Sequence, residues 1–484
     1  MTILQHYLEA NRHVNEEHQS QELRIVEGAV PEALHGTLFR NGPGHLEHQG
    51  VGYQHLFDGD GMISAFAFEQ GRVRYSNRFV RTKEFVAEEQ AGRMLYRSFG
   101  TNLPGGFWRN FMKMNFKNAA NTNVLYHGGE LLALWEGGWP HRIDPATLET
   151  LERYDYGGVL RNDFSKIDEL IMPELPFAAH PRLHPDTGVL HNFGTASGAQ
   201  QRLLLYEVDA QGTARITHRQ KMEALYFTHD YVLTAQGQHI FFLIPISFQI
   251  WQAFLGLKPP VDSLQRQPGQ DIKILVIDGQ GVQEYHTDYC FIFHFANGYK
   301  QEDGTLVVDA FTMPDFPLSF NLKQGFSGEE VDGAAGKLTR YYLEPGQPRA
   351  RREQLSPYPS EFPAYHPALT GKPYRYVWGI GDDPANGREL VHGIVKFDLE
   401  QGKTEWRDYY PALTGEPVFV PRPGATQEDD GWLLLLTFHP EADQTSLHVL
   451  DARDLSTVAI AAMPHHIPLV FHGTWVPEVF SAPE

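Results

Sequence analysis

Neutral imidazole ligates metal ions and moves protons near neutral pH. Four of the 24 histidines in this 484-residue chain stand where that chemistry could be used. They are His180 in FAAHPRLHP, His229 in YFTHDY, His294 in FIFHFANGY and His472 in LVFHGTW, each at or near the end of an apolar, strand-like run. Ligands so dispersed can meet only if a closed architecture brings several chain segments to one axis. A histidine is by default a surface or satisfied core residue, but context sets these apart. His294 lies between Phe293 and Phe295 and His472 follows Phe471, so strand alternation should put imidazole and aromatic ring on opposite faces. A buried neutral imidazole also needs a partner for each nitrogen. His184 follows His180 at helical ligand spacing, but Pro181 and Pro185 argue against a helix there, and His184 is set aside.

Metal-bound imidazoles usually donate their second N–H to a carboxylate. Glu136 in LLALWEGG, Glu361 in SEFPAYHP and Glu416 in LTGEPVFVPRP sit beside apolar, Gly or Pro residues, where an unpaired carboxylate is costly to bury. They are candidates for that task, or else partly exposed turn residues. The formal charge of −20 speaks against a nucleic-acid partner, which needs clustered Lys and Arg. The single cysteine, Cys290, excludes intramolecular disulfides and thiolate metal clusters and fits a reducing compartment. The first twenty residues lack a basic patch followed by an apolar core, so no signal peptide and a cytoplasmic location are expected.

The elements that must position these residues are short strands. LLALW, RLLLYEV, IKILVID, TLVVDAF, YRYVWGI, GIVKFDL, WLLLLTF and SLHVLDA are separated by Asp- and Gly-bearing turns such as IDPATLET, VDAQGTARI, IDGQGVQEY and FDLEQGKTEW, the chemistry of hairpins. Helix signals are few, chiefly a helical segment over residues 1–23. An all-β fold follows, best fitted by a β-propeller, whose axis several blades can line. A multi-sheet sandwich or two tandem barrels stay open. Residues 240–257 (IFFLIPISFQIWQAFLGL) begin like a strand. After Pro245, residues Phe248, Trp251, Phe254 and Leu255 fall mostly on one side of a short helix. That helix either faces the core or dips into lipid. Residues 103–116, with Phe107, Trp108 and Phe111, mix aromatic and basic side chains in the same way.

In combination, FRNGPG, HLFDGDGM, NTN, LLALWEGG, AHPR, THDY, FHFANGY, EFPAYHP, GEPVFVPRP, EDDGWLL and FHGTW resemble the motifs of the carotenoid cleavage oxygenase family over nearly the whole chain. The resemblance implies a single domain over residues 1–484, a seven-bladed β-propeller with loops and short helices capping its iron face. It implies a non-haem Fe(II) cofactor held by His180, His229, His294 and His472, with Glu136, Glu361 and Glu416 bonded to three of the imidazoles. Thr122 of NTN matches the position whose methyl hinders one coordination site. Phe57, Trp135, Phe293 and Phe362 resemble residues lining a tunnel for the polyene.

The implied activity is oxidative cleavage of a C=C bond by O2 into two carbonyls. The runs FVRTKEFVAEEQAGRMLYRSFGT and LLALWEGGWPHRIDPATLET are most similar to the branch cutting apocarotenals at the 15,15' bond to give retinal. Stilbene-cleaving relatives commonly place Lys where this chain has Trp135, which disfavours that branch. A 9,10-cleaving dioxygenase and a non-catalytic carotenoid-binding propeller are the alternatives. The expected partners are the apolar polyene, O2 and, through the 103–116 and 240–257 segments, the surface of a membrane, with no obligatory protein partner.

Overall fold

The acidic turns set where each strand stops. Asp144 accepts the N–H groups of Ala146 and Thr147, Asp209 those of Gln211 and Thr213, Asp278 those of Gln280 and Gly281, and Asp398 those of Glu400 and Gln401. Each such turn reverses the chain, so neighbouring apolar runs pair as antiparallel hairpins. Gln201–Val208, for instance, pairs on one side with Leu190–Ser197 and on the other with Ala214–Lys221. The computed structural model describes residues 9–113, 116–198, 200–315, 336–383, 385, 392–468 and 471–481. Among these residues strands dominate, and the longest helix is the nine-residue Lys83–Ala91. Thr82 Oγ1 caps that helix at the Phe85 N–H, and Gly92, at φ +61°, ends it.

The strands form five sheets of four to six strands and one of seven, besides a two-stranded ribbon. The seven-stranded sheet runs Phe291–Lys300, Leu306–Met313, Gly336–Leu343, Arg351–Ala364, Tyr376–Gly381, Gly393–Asp398 and Lys403–Asp408. Its middle strand has 14 residues, longer than the rest, and its two ends pair with different neighbours. The first sheet joins the two ends of the chain. His472–Val476 pairs with Gly36–His45, two strands away from Arg72–Phe79.

Alternation along each strand gives both faces of the sheets apolar residues, and these meet between consecutive sheets. Phe39 and Ile63 of the first sheet pack with Val124 and Leu131 of the second. Leu132 and Leu134 of that sheet meet Leu190 and Tyr206, and Phe193 and Leu205 meet Phe241 and Leu275. Phe242 and Ile274 meet Val308 and Tyr341 of the seven-stranded sheet. Within that sheet Phe311 and Leu338 pack with Val377 and Phe397. Trp378 and Ile394 then meet Leu433 and Leu450, and Leu434 and Val449 return to Leu38 and Phe66 of the first sheet. Fully burying one such side chain contributes roughly 1.5–3 kcal/mol.

Two expectations are corrected. The helical segment over residues 1–23 is not one helix: residues 1–8 lie outside the described residues, and His18–Glu22 is a strand on Arg72–Phe79. Tertiary pairing decides this, since Asn77 Oδ1 and Ser76 Oγ accept the N–H groups of His18 and Ser20, bonds no helix would leave free. The strand at 240 likewise does not end at Pro245 but runs His239–Phe248, so Phe248 is a strand residue. Its partner changes at the proline, from Ile272–Asp278 before it to Leu264–Arg266 after it. On that side Pro245 falls in the gap between the two ladders, where its missing N–H costs little, while on the other side it faces Tyr226. The helix beyond is the short Ile250–Phe254.

Candidate metal centre

The four histidines come together from four different sheets. His472 opens the strand on Gly36–His45, His294 lies within Phe291–Lys300, His180 precedes Arg182–Leu183, and His229 sits in the break between Tyr226–Phe227 and Val232–Leu233. Each of these strands is at or beside an end of its sheet's order, so side chains at that edge converge. One nitrogen from each ring lies within 4.8 Å of the others, and all four residues are buried.

Outer carboxylates fix which nitrogen points inward. His294 Nδ1 is 2.5 Å from Glu361 Oε2, His472 Nδ1 is 2.8 Å from Glu416 Oε1, and His229 Nδ1 pairs with Glu136. In these three rings Nε2 is left for the centre, and a fourth comes from His180, whose Nε2 lies 2.9 Å from that of His229. His294 Nε2 is buried with no hydrogen-bond partner. Four converging imidazole nitrogens, one of them orphaned, with their far sides held by carboxylates, fit a divalent transition-metal ion.

The electrostatics agree. Burial first, then the neighbouring His229, His472, His294 and Arg182, holds His180 well below the usual 6.5, so its ring is a neutral donor. Burial lowers His472 too, against the pull of Glu416. For His294 burial also works against the charge, but Glu361 outweighs it and raises the ring. Burial opposes the Glu416 carboxylate, yet Arg40 with His472 keeps it below its ordinary value.

Arg40 was not assigned a role from the sequence, although it lies in the FRNGPG motif. Its guanidinium is buried and donates from Nη1 to Glu416 Oε2 at 2.7 Å and to the Glu416 carbonyl at 3.2 Å. The available signal was chemical: an arginine inside an apolar strand must find a carboxylate. Asp230, next to His229, was missed as well; it accepts from Arg182 and from the Phe295 N–H, tying three of the converging segments together.

Of the remaining candidates, Phe362 packs at a tilt against both His294 (5.1 Å between ring centroids) and His472 (5.3 Å). Phe362 holds φ +54°, a strained conformation for a bulky residue, while its N–H donates to Glu361. Phe293 meets His229 edge to face at 5.4 Å. Clean alternation around His294 therefore fails. The ladder shifts register between Ile292 and Phe295, and this bulge turns Phe293 toward the site as well. Phe57 packs on Phe471, the neighbour of His472. Trp135 lies over Gly137, where a Cβ would come within 2.6 Å of the ring. Thr122 donates its N–H to the Leu134 carbonyl and its hydroxyl to Asn121. Glu136 is the most exposed of the three glutamates, so for it both readings of the sequence hold. His184 stays outside the cluster, bonded to the Ala235 carbonyl and the Asp186 N–H.

Sheets that bring four imidazoles to one point, three of them backed by carboxylates, define a mostly-β protein with a four-histidine cluster that could hold a metal ion. The model of the family "Retinal pigment epithelial membrane protein" matches residues 11–477, and the chain belongs to that family. It is 36% identical to the apocarotenoid-15,15'-oxygenase of Synechocystis sp., over 93% of this chain and 92% of that one. Similarity extends to an isoeugenol monooxygenase of Pseudomonas putida (30%, 93% of each) and to a carotenoid 9,10(9',10')-cleavage dioxygenase of Pisum sativum (29%, 94% and 86%). Among solved structures, a glutamate-to-glutamine variant of the Synechocystis apocarotenoid oxygenase matches with a TM-score of 0.90 at 33% identity, covering 98% of both chains. A cobalt-substituted form of the same oxygenase gives 0.88 at 32%. The protein is thus an oxygenase homologue of the carotenoid-cleaving enzymes.

Proposed function

We propose that this protein is an Fe(II)-dependent oxygenase that cleaves the 15,15' double bond of an apocarotenal to give retinal. The single observation that carries the metal is the convergence of His180, His229, His294 and His472 with Glu136, Glu361 and Glu416 behind three of them. Bound iron would supply activation of O2. The choice of bond follows the Synechocystis oxygenase, which is more similar to this chain, at 36%, than the Pisum sativum 9,10-cleaving enzyme, at 29%. One O2 and one C=C give two carbonyls, so no further reductant is needed.

The chain's own groups do the rest. The glutamates fix the tautomers and return negative charge to a cage of neutral nitrogens. Phe57, Trp135, Phe293 and Phe362 line the polyene's path, where aromatic faces favour positive charge developing along it. Thr122 would be the residue that crowds one side of a bound ion. Glu361→Gln is expected to lower iron retention or turnover ten- to a hundredfold, by about the cost of losing an outer-shell partner. Iron analysis and retinal formation by chromatography measure it; unchanged values in both would remove Glu361 from the role.

The five successive sheets, with the seven-stranded one counted as two units sharing its 14-residue strand, make seven blades of one domain over residues 1–484. The apolar clusters that lead from each unit to the next and back to the first support that ring. Loops and the short helices would cap the metal face.

Lipid contact would bring this enzyme its insoluble substrate in the cytoplasm. No helix among the described residues is long and apolar enough to cross a membrane. Trp108 is 82% and Trp251 54% exposed, with Phe107 and Phe254 exposed beside them and Phe111, Phe248 and Leu255 half-buried. The two segments form one face. The Met112 N–H bonds to the Phe254 carbonyl, and buried Arg97 donates to the carbonyls of Lys113, Ala253 and Lys258. Replacing Trp251 and Phe254 by Ser is expected to cut liposome co-flotation at least about fivefold. Undiminished flotation would contradict a lipid role for the patch.

A further inference from the structure

A second knot of ligating side chains lies outside the cage, where the strand Gly36–His45 runs on past Asn41, the ladder partner of His472. His45 ends the strand Gly36–His45, Asp60 begins Asp60–Glu69 and is its direct ladder partner, and His48 follows in the short strand Glu47–His48. One nitrogen from each imidazole and a carboxylate oxygen of Asp60 lie within 4.8 Å of one another. His45 Nδ1 is 3.4 Å from Asp60 Oδ2. Two donors on one tetrahedral ion, each at 2.0–2.1 Å from it, would be about 3.3 Å apart. His13, from the N-terminal segment, stands edge-on to His45 at 4.4 Å between ring centroids, and His45 is 4.5 Å from His48.

Two further observations point to a missing cation. Asp60 is fully buried, and its Oδ1, like His45 Nδ1 and His13 Nδ1, is a buried atom with no hydrogen-bond partner. Orphaned buried polar atoms are rare and gather where an ion or water belongs. The charge is also unbalanced. Asp58, Asp60 and Glu88 are all buried, and the one buried cation among them is Lys117. Lys117 Nζ is already saturated, by Tyr53 Oη at 2.5 Å, Asp60 Oδ2 at 2.7 Å and Glu88 Oε2 at 2.8 Å, which leaves Asp60 Oδ1 over. One divalent ion would offset the two uncompensated carboxylates.

We propose that His45, His48 and Asp60 bind a structural divalent ion of the zinc class, with His13, whose ring packs on His45, as a further donor. Three imidazoles and one carboxylate suit that ion, and no thiolate is needed. The ion would clip residues 46–59 at both ends. That segment carries Phe57, whose carbonyl accepts from Asn121 and whose ring packs on Phe471 beside the cage. The site would thus brace one wall of the substrate's path without touching substrate.

The test is a zinc count on the full chain, stripped with chelator, equilibrated with Zn²⁺, desalted and measured by plasma mass spectrometry. His45→Phe removes a donor while keeping a ring against Phe79 and Phe85, which His45 now meets edge-on. Wild type should hold two zinc ions per chain, one in the cage and one here. His45→Phe should hold one, His294→Ala one, and the double variant none. Zinc should raise the melting temperature of His294→Ala but not of the double variant. His48→Gln serves as the second probe should His45→Phe fail to fold. A wild-type zinc count that neither His45→Phe nor His48→Gln lowers overturns the proposal, whatever the His294→Ala arm reports about the cage.

Discussion

His294→Ala is expected to strip the iron from the protein and to lower cleavage by more than about a thousandfold. Losing an outer carboxylate already costs ten- to a hundredfold, and here a ligand itself is lost. The Nε2 of His294 is buried with no hydrogen-bond partner, so its loss removes a donor that no neighbouring group duplicates. The change also leaves Glu361 buried without its imidazole, 4% exposed and with only the Phe362 N–H to satisfy it. The remaining three rings would face a divalent ion with an open side to water. Iron per chain and product per minute measured on the same preparation check this. Full iron with no turnover would make His294 a substrate contact instead, and full turnover would remove it from the site.

Arg40→Met should destabilise the protein by about 3–5 kcal/mol, because one partner of a buried ion pair is removed and the other stays charged. Arg40 is 1% exposed and Glu416 also accepts the Gly473 N–H and holds His472. Adding Glu416→Gln to Arg40→Met should return a large part of that loss, since the stranded charge is then gone. Urea unfolding of the three variants separates the cases: a shifted midpoint at constant slope reports stability. A loss below about 1 kcal/mol in Arg40→Met would mean that Glu416 does not depend on Arg40.

The cage was readable because the family motifs picked its ligands and glutamates out of many candidates. Imidazoles next to Phe at strand ends, and Glu beside apolar, Gly or Pro residues, are costly placements unless they meet, which agreed with that assignment. The Asp-Gly turns were equally legible, since an Asx-turn is decided within a few residues, as at Asp209 and Asp278. What the sequence hid was set at long range. His18–Glu22 became a strand only because Arg72–Phe79 offered an edge. Phe293 turned toward the site only because of a bulge against Leu306–Met313. The partner of Arg40 lies 376 residues away. His45 and Asp60 were silent for the same reason: a ladder register, not a motif, puts them side by side.

The central claim is the reaction, and its most direct test is product analysis. The iron-loaded protein is given an apocarotenal under ¹⁸O₂, with β-carotene and isoeugenol in parallel, and the products are resolved by chromatography and mass. Retinal from the apocarotenal, with label in the new carbonyls and little product from the other two, is the predicted result. Cleavage confined to a 9,10 bond or to isoeugenol, or an apocarotenal returned uncut by protein that holds its iron, would contradict it.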